Sequence, residues 1–434
     1  MTGSAWDGSA VDRTLSRLPS AIERPGQGPQ LIAERGVFTV LWHSPEQVQF
    51  EFDLLRVDRR TGTMTAEVTV WTHWPITDYI HSASLNLSST QARTTLAKHL
   101  AGRIRDRELD WPALVETAVI MVRNAYRAGE PAILLRDAPE PALNGAILPP
   151  IVATEGATLW HGDGGTGKSE LALAAAASIH SGRDVLAGLL PATTRRVAFL
   201  DWEWTASVHR RRLARLWPDD NLPDLMYVRC ALPLAQDVER LRRMVREHSI
   251  GFVVIDSVAL AAGGDPERAE TAIEFYGGLR QLEIDALLVA HVTKQSDGEK
   301  PFGSTFWHNS ARSTWYLRKV QDAGSSSLRV ALVNKKANDA PLALPIGIEI
   351  EHGPEATTIR RTDLASEPDL AREIPLRLRI KQALLGGSLT YDELADSLDA
   401  DRETVRRTVN RYTGKLFTTF PDGSGIRVGV LAHD

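Results

Sequence analysis

The sequence predicts an α/β protein, built as a mostly parallel sheet covered by helices on both faces, with a small α+β domain before it and a winged helix-turn-helix after it. Three observations predict this. From about residue 151 to 365, short apolar runs alternate with helical stretches, the signature of strands joined by crossover helices. From Gly36 to Trp74 the text alternates apolar and polar residues at period two, as strands with one buried face do. The last part of the chain reads as three short helices and a hairpin.

Residues 1 to about 25 carry no readable chemistry and end in the turn-forming run Arg24-Pro25-Gly26-Gln27-Gly28-Pro29. Two amphipathic helices, Ser89 to Arg107 and Trp111 to Arg127, complete a domain over residues 1–130. A proline-rich linker, 131–150, leads to the central domain, 151–365. Its strands are expected at Ala157 to Trp160, Arg196 to Asp201, Met226 to Cys230, Phe252 to Ser257 and Ala286 to Thr293, with helices starting near Gly167, Thr205, Gln236 and Pro266. A hairpin over Ser313 to Val320 and Leu328 to Asn334 follows, then strands at Ile346 to Glu351 and Thr357 to Arg361. Within 374–434, helices are expected at Leu376 to Leu385, Thr390 to Leu398 and Asp401 to Tyr412, with a hairpin from Leu416 to Leu431.

The net charge of -5 over 434 residues excludes a uniformly basic, nucleic-acid-coating protein but leaves room for a local basic patch. A single cysteine, Cys230, excludes an internal disulfide framework and a thiolate zinc site. The longest apolar run, Leu171 to Ile179, falls well short of the roughly 20 residues a membrane span requires. With no signal-peptide pattern at the start, a cytoplasmic protein without a membrane partner is expected.

Gly162-Asp163-Gly164-Gly165-Thr166-Gly167-Lys168-Ser169 matches the phosphate-loop pattern GxxxxGKS between an apolar strand and an alanine-rich helix. In such a loop the glycines turn backbone N–H groups inward, the helix N-terminus favours anions, the lysine reaches the outer phosphates, and the serine holds magnesium. ATP and Mg2+ are therefore the expected ligands. Asp256, closing the apolar strand Phe252 to Asp256, is placed to orient the metal's water. The next residue is Ser257 rather than Glu, so the general base must come from another strand. Glu203, just past the strand that ends at Asp201, is the best candidate, with Asp201 as an alternative. His291, at the end of Leu287 to Ala290, is placed to sense the terminal phosphate.

Together the phosphate loop, LDWE at 200–203, VVIDS at 253–257 and AHVTK at 290–294 resemble the RecA-like ATPases, and most closely the branch of RepA-type plasmid replicative helicases. Pro301-Phe302-Gly303-Ser304 and Asn309-Ser310-Ala311-Arg312 are similar to that branch's Gly-Ser helix before its paired strands. The resemblance spans about residues 145 to 352. It implies a hexameric ring in which a cation from the neighbouring subunit completes each site; Arg312, Arg318, Lys335 and Lys336 are available, with Arg312 favoured and Lys335 or Lys336 next. It also implies single-stranded DNA in a central channel, where Lys300 of the polar segment 295–300 and Lys294 just before it would touch the strand, the alternative being an ordinary surface loop.

The third tail helix carries Arg402, Arg406, Arg407 and Arg411, whose spacings of four, one and four place them on one side of a helix as a phosphate-facing stripe. Asp396, Asp399 and Asp401 dilute it. The expectation is an ATP-hydrolysing, DNA-dependent motor of a plasmid, phage or mobile element. The competing readings are a nucleotide-switched DNA-binding or filament-forming protein, and a small-molecule kinase, against which the strand-end glutamate and the winged tail weigh.

Overall fold

The computed structural model describes residues 28–34, 36–74, 76–104, 109–129, 132–140, 145–217, 219, 221–292, 303–423 and 425–431. The chain forms two units, Met1–Glu140 and Pro141–Asp434.

In the first unit, five strands pair antiparallel in sequence order: β1 Gln30–Glu34, β2 Val37–Trp42, β3 Val48–Val57, β4 Met64–Thr72 and β5 Asp78–Asn86. Period-two patterning does what it predicts in β4, where Met64, Ala66, Val68 and Val70 are buried and Glu67 is exposed. The edge strands β1 and β5 were not evident from sequence, because an edge strand with one wet face carries Ser, His and Asn where an inner strand carries Val. Helices α1 Thr90–Arg103 and α2 Trp111–Ala128 cover the apolar face. Ser89 and Asp110 cap them, accepting from the N–H groups of Ala92 and Ala113. Phe50, Phe52, Leu100, Trp111 and Val122 form the centre of this core.

The second unit opens with the short pair β6 Ala146–Leu148 and β7 Val152–Ala153. Its main sheet has nine strands: β8 Ala157–Gly162, β9 Val197–Asp201, β10 Met226–Arg229, β11 Phe252–Asp256, β12 Asp285–His291, β13 Ser313–Val320, β14 Ser327–Ala337, β15 Ile346–His352 and β16 Thr357–Arg361. Their order is β10-β9-β11-β12-β8-β13-β14-β15-β16, parallel from β10 through β13 and antiparallel beyond. Both faces are covered, which is why β9 and β11 read as unbroken apolar runs. Val197, Phe199, Phe252 and Val254 pack beneath α3 Lys168–Ser181 and α4 Ala206–Leu216. On the opposite face, Ala198, Leu200, Val253 and Ile255 meet α5 Leu234–Glu247, α6 Val258–Ala262, α7 Ala269–Arg280 and α8 Thr305–Ser310. Helix α7 starts later than its sequence pattern suggests, because Arg268 N–H closes a turn onto the Asp265 carbonyl at 3.1 Å.

After the short helix α9 Pro368–Ala371, the tail comprises α10 Leu376–Ala383, β17 Leu389–Thr390, α11 Tyr391–Leu398, α12 Arg402–Tyr412, β18 Phe417–Asp422 and β19 Gly425–Val430. The hairpin gains a third strand, order β17-β19-β18, and a core of Ile380, Leu394, Val405, Val409, Phe417 and Val428. Thr390 and Glu393 form a capping box at the start of α11. Among the described residues, no helix is long and apolar enough to cross a membrane.

Phe50 is fully buried at the centre of the first unit. Phe50→Ala is expected to cost about 3–5 kcal/mol of that unit's stability, read as a lower denaturant midpoint with unchanged slope.

Candidate functional site

Strand β8 lies between β12 and β13, and its last residue, Gly162, pairs with Leu317 of β13 and His291 of β12. A Cβ at Gly162 would stand 2.4 Å from the Leu317 carbonyl oxygen, so only glycine permits this closeness. The chain then turns through Gly165 and Gly167, both with positive φ, into α3, whose first N–H groups have no side-chain cap. Those uncapped groups are an anion site. Lys168 folds over the loop, its Nζ donating to the carbonyls of Gly162 at 2.8 Å and Asp163 at 2.7 Å. Thr166 Oγ1 also donates to the Asp163 carbonyl.

Burial lowers the Lys168 pKa to about 8, against the opposing pull of Asp256, Asp163 and Glu203. Asp256 is displaced the other way: burial raises it to about 6, with the Ser169 hydroxyl favouring its ionised form. One of its oxygens, Oδ2, is buried without a hydrogen-bond partner. A bare carboxylate oxygen beside a serine hydroxyl, just beneath an anion site, fits Mg2+, which takes one or two protein oxygens and completes its shell with phosphate and water. Among the described residues there is no cluster of three or more His, Cys, Asp or Glu that would hold a metal by itself.

Asp201 and Glu203, two residues apart, have opposite environments. Asp201 is fully buried; its Oδ1 accepts from the N–H groups of Glu203 at 2.8 Å and Trp204 at 3.0 Å. Burial opposes its ionisation, yet these bonds and those from His209 and Tyr227 bring its pKa to about 2. It is an anchor for the turn, with its lone pairs committed. Glu203 is partly exposed, accepts a hydrogen bond from the Ser257 hydroxyl, and lies 3.9 Å from His291 Nε2. His291 is the leading cause of its lowered pKa. Sequence reasoning weighed Ser257 only as a missing glutamate and overlooked it as Glu203's partner. A serine in that position had no signal until β9 and β11 were seen side by side, with Asp201 paired to Asp256.

The cations fall at two ends of the sheet. Arg312 precedes Ser313, which pairs with Thr158, so it lies roughly 16 Å of strand rise from the phosphate-loop end. It is held there by Asp339 at 2.9 Å and Glu155 at 3.4 Å. Lys336 donates to the carbonyls of His308, Asn309 and Ala311, closing the end of α8. Lys335 stands over the Tyr316 ring at 5.6 Å, and Arg318 pairs with Glu373 at 2.8 Å. None of these four is brought to the phosphate loop of its own chain. Lys319 is: its Nζ donates to the Gly165 carbonyl at 3.2 Å. It went unnoticed because strand position alone does not say which β13 cation faces the loop.

On α12 all four arginines are exposed. At 100° per residue they span about half the circumference, broader than a stripe. Arg402 pairs with Asp392, and Arg406 and Arg407 share Glu403. Lys294, Lys300 and segment 295–300 lie outside the described residues, as do Pro301 and Phe302.

Residues 131–297 match a family model described as AAA domain. The chain is also similar to a KaiC-like protein from the hyperthermophilic archaeon Pyrococcus horikoshii OT3, at 15% identity over 48% of this chain and 90% of that one, with a TM-score of 0.35. No curated protein matches the chain. The phosphate loop thus sits within a stretch similar to AAA domains, at the end of a mostly parallel α/β sheet.

Because the folded-state pKa of Asp256 lies above its ordinary value of 3.8, its protonated form stabilises the fold at low pH, and that contribution is lost as pH rises from about 4 to about 6. Asp256→Asn removes the buried charge. At pH 7.5, without nucleotide or metal, the variant is expected to be more stable by on the order of 2 kcal/mol in chemical denaturation, while magnesium-dependent turnover collapses.

Proposed function

We propose that the protein is a DNA-dependent, ring-forming ATPase, a replicative helicase or helicase-like motor of a plasmid, phage or mobile element. The observation that carries this reading is Glu203: an ionised acid in the turn just after β9, tied to Ser257 and facing His291 at the end of β12. The segment directly after His291 in sequence holds Lys294 and Lys300, the residues expected to touch a DNA strand. In this reading the acid acts on water, and the histidine precedes that segment in sequence.

In this reading Lys168, the uncapped N–H groups of α3 and Ser169 hold the triphosphate, with Asp256 beside the metal. Ser169, with Asp256 beside it, would hold magnesium, which would supply neutralisation of the phosphate charge. Glu203 accepts a proton from the attacking water as the water oxygen bonds the γ phosphorus. The bond from that phosphorus to the β–γ bridging oxygen breaks, leaving ADP and inorganic phosphate, and the proton on Glu203 returns to solvent. Arg407 and Arg411 on α12 would contact duplex phosphates.

A second reading, a nucleotide-switched DNA-binding or filament-forming ATPase without unwinding, draws support from Arg312 and Lys336. Both are engaged within their own chain, which suits slow turnover without a cation supplied in trans.

Glu203→Gln is expected to lower turnover by about 10²–10⁴-fold while nucleotide binding persists. For the motor, single-stranded DNA stimulates hydrolysis, native mass gives a hexamer, and a forked duplex is separated. DNA-indifferent hydrolysis by a monomer would refute it; DNA binding that follows nucleotide state without strand separation selects the second reading. Replacing Arg407 and Arg411 together with alanine is expected to weaken duplex binding and to reduce the slope of log affinity against log salt by about two.

A further inference from the structure

The turn that aims Glu203 is held by more than its own backbone. Asp201 receives side-chain donors from two other elements: His209 of α4, whose Nε2 lies 3.1 Å from Oδ2, and Tyr227 of β10, whose hydroxyl lies 2.9 Å from the same oxygen. The Tyr227 hydroxyl is also 3.1 Å from the Trp204 carbonyl, so it spans both sides of the turn. The Asp201 carbonyl accepts from Cys230 N–H at 2.9 Å, fastening β9 to the end of β10. His209 is buried, with its ring against Phe199 at 4.5 Å and Tyr227 at 5.7 Å.

We propose that Tyr227 and His209 are positioning residues for hydrolysis: acting through Asp201, they fix the turn at 202–204 so that the Glu203 carboxylate faces Ser257 and His291. The inference rests on reading Glu203 as the general base. An ionised Asp201 accepts only, so its donors set its orientation, and Asp201 in turn sets the N–H groups of Glu203 and Trp204. Without the two donors Oδ2 keeps only the longer bond from Trp204 N–H, at 3.2 Å, so the carboxylate and the turn it fixes are held less firmly. Neither residue lies in the phosphate loop, so the effect falls on the chemical step and spares nucleotide capture. Burial and Asp201 raise the Tyr227 pKa to about 12, which keeps the phenol a donor throughout the working range.

The test uses the full chain with ATP and Mg2+. Tyr227→Phe is expected to lower kcat about ten- to hundredfold, with KM for ATP, affinity for a fluorescent ATP analogue and melting temperature unchanged. His209→Leu is expected to do the same, and His209→Gln, which restores an N–H donor, to recover most of the loss. Wild-type kcat in both Tyr227→Phe and His209→Leu overturns the proposal, as does a loss that appears equally in nucleotide affinity. Glu203→Gln run in parallel separates the two claims. If that variant hydrolyses ATP normally, the general-base reading fails; if it is inactive while Tyr227→Phe and His209→Leu are both fully active, only the positioning role fails.

Discussion

The carboxyl end of the parallel sheet gathers a buried ammonium and a buried carboxylate, and the site is organised around the cost of keeping both there. Lys168 is depressed and Asp256 elevated by the same burial, so each is held in a state that a charged ligand relieves. A triphosphate with its metal would supply the missing anion to one and the missing cation to the other. Lys168 meanwhile leans on two loop carbonyls, which accept a proton donor but do not neutralise its charge. The loop is thus electrostatically incomplete by construction, and ligand binding and local stability are coupled.

That arrangement depends on the sheet bringing β8, β9, β11 and β12 to a common edge. Parallel pairing in register puts Gly162 beside His291, and Asp201 beside Asp256. Crossover helices on both faces leave these strand ends as the open crevice of the fold. Two acids separated by one tryptophan then take different roles, because one points into the core, where donors surround it, and the other points along the crevice. The distinction is one of environment, since their chemistry is nearly the same.

Much of this architecture was legible beforehand. Strands β8, β9, β11 and β12 follow from apolar runs that only a two-sided sheet can bury, and β16, though mostly exposed, has its expected bounds. The loop Gly162 to Ser169 was readable because a phosphate cradle restricts residue types at consecutive positions. Strands β1, β5 and β17 were not, because edge and very short strands carry little apolar pattern. The cations of β13 and β14 were equally opaque: alternation gives a face, but which end of the sheet a residue occupies depends on register.

By itself, then, the sequence determined the fold class, the phosphate-loop motif and the candidacy of Glu203, Asp256 and His291, because local periodicity and a contiguous motif carry that information. Tertiary structure alone decided that Asp201 is buried and anchors the turn, that Ser257 donates to Glu203, that Lys319 and not Arg312 meets the loop of its own chain, and that Tyr227 and His209 bear on the same turn. Those assignments depend on distances between residues far apart in the chain, which pairing register and burial set, and no local pattern records them.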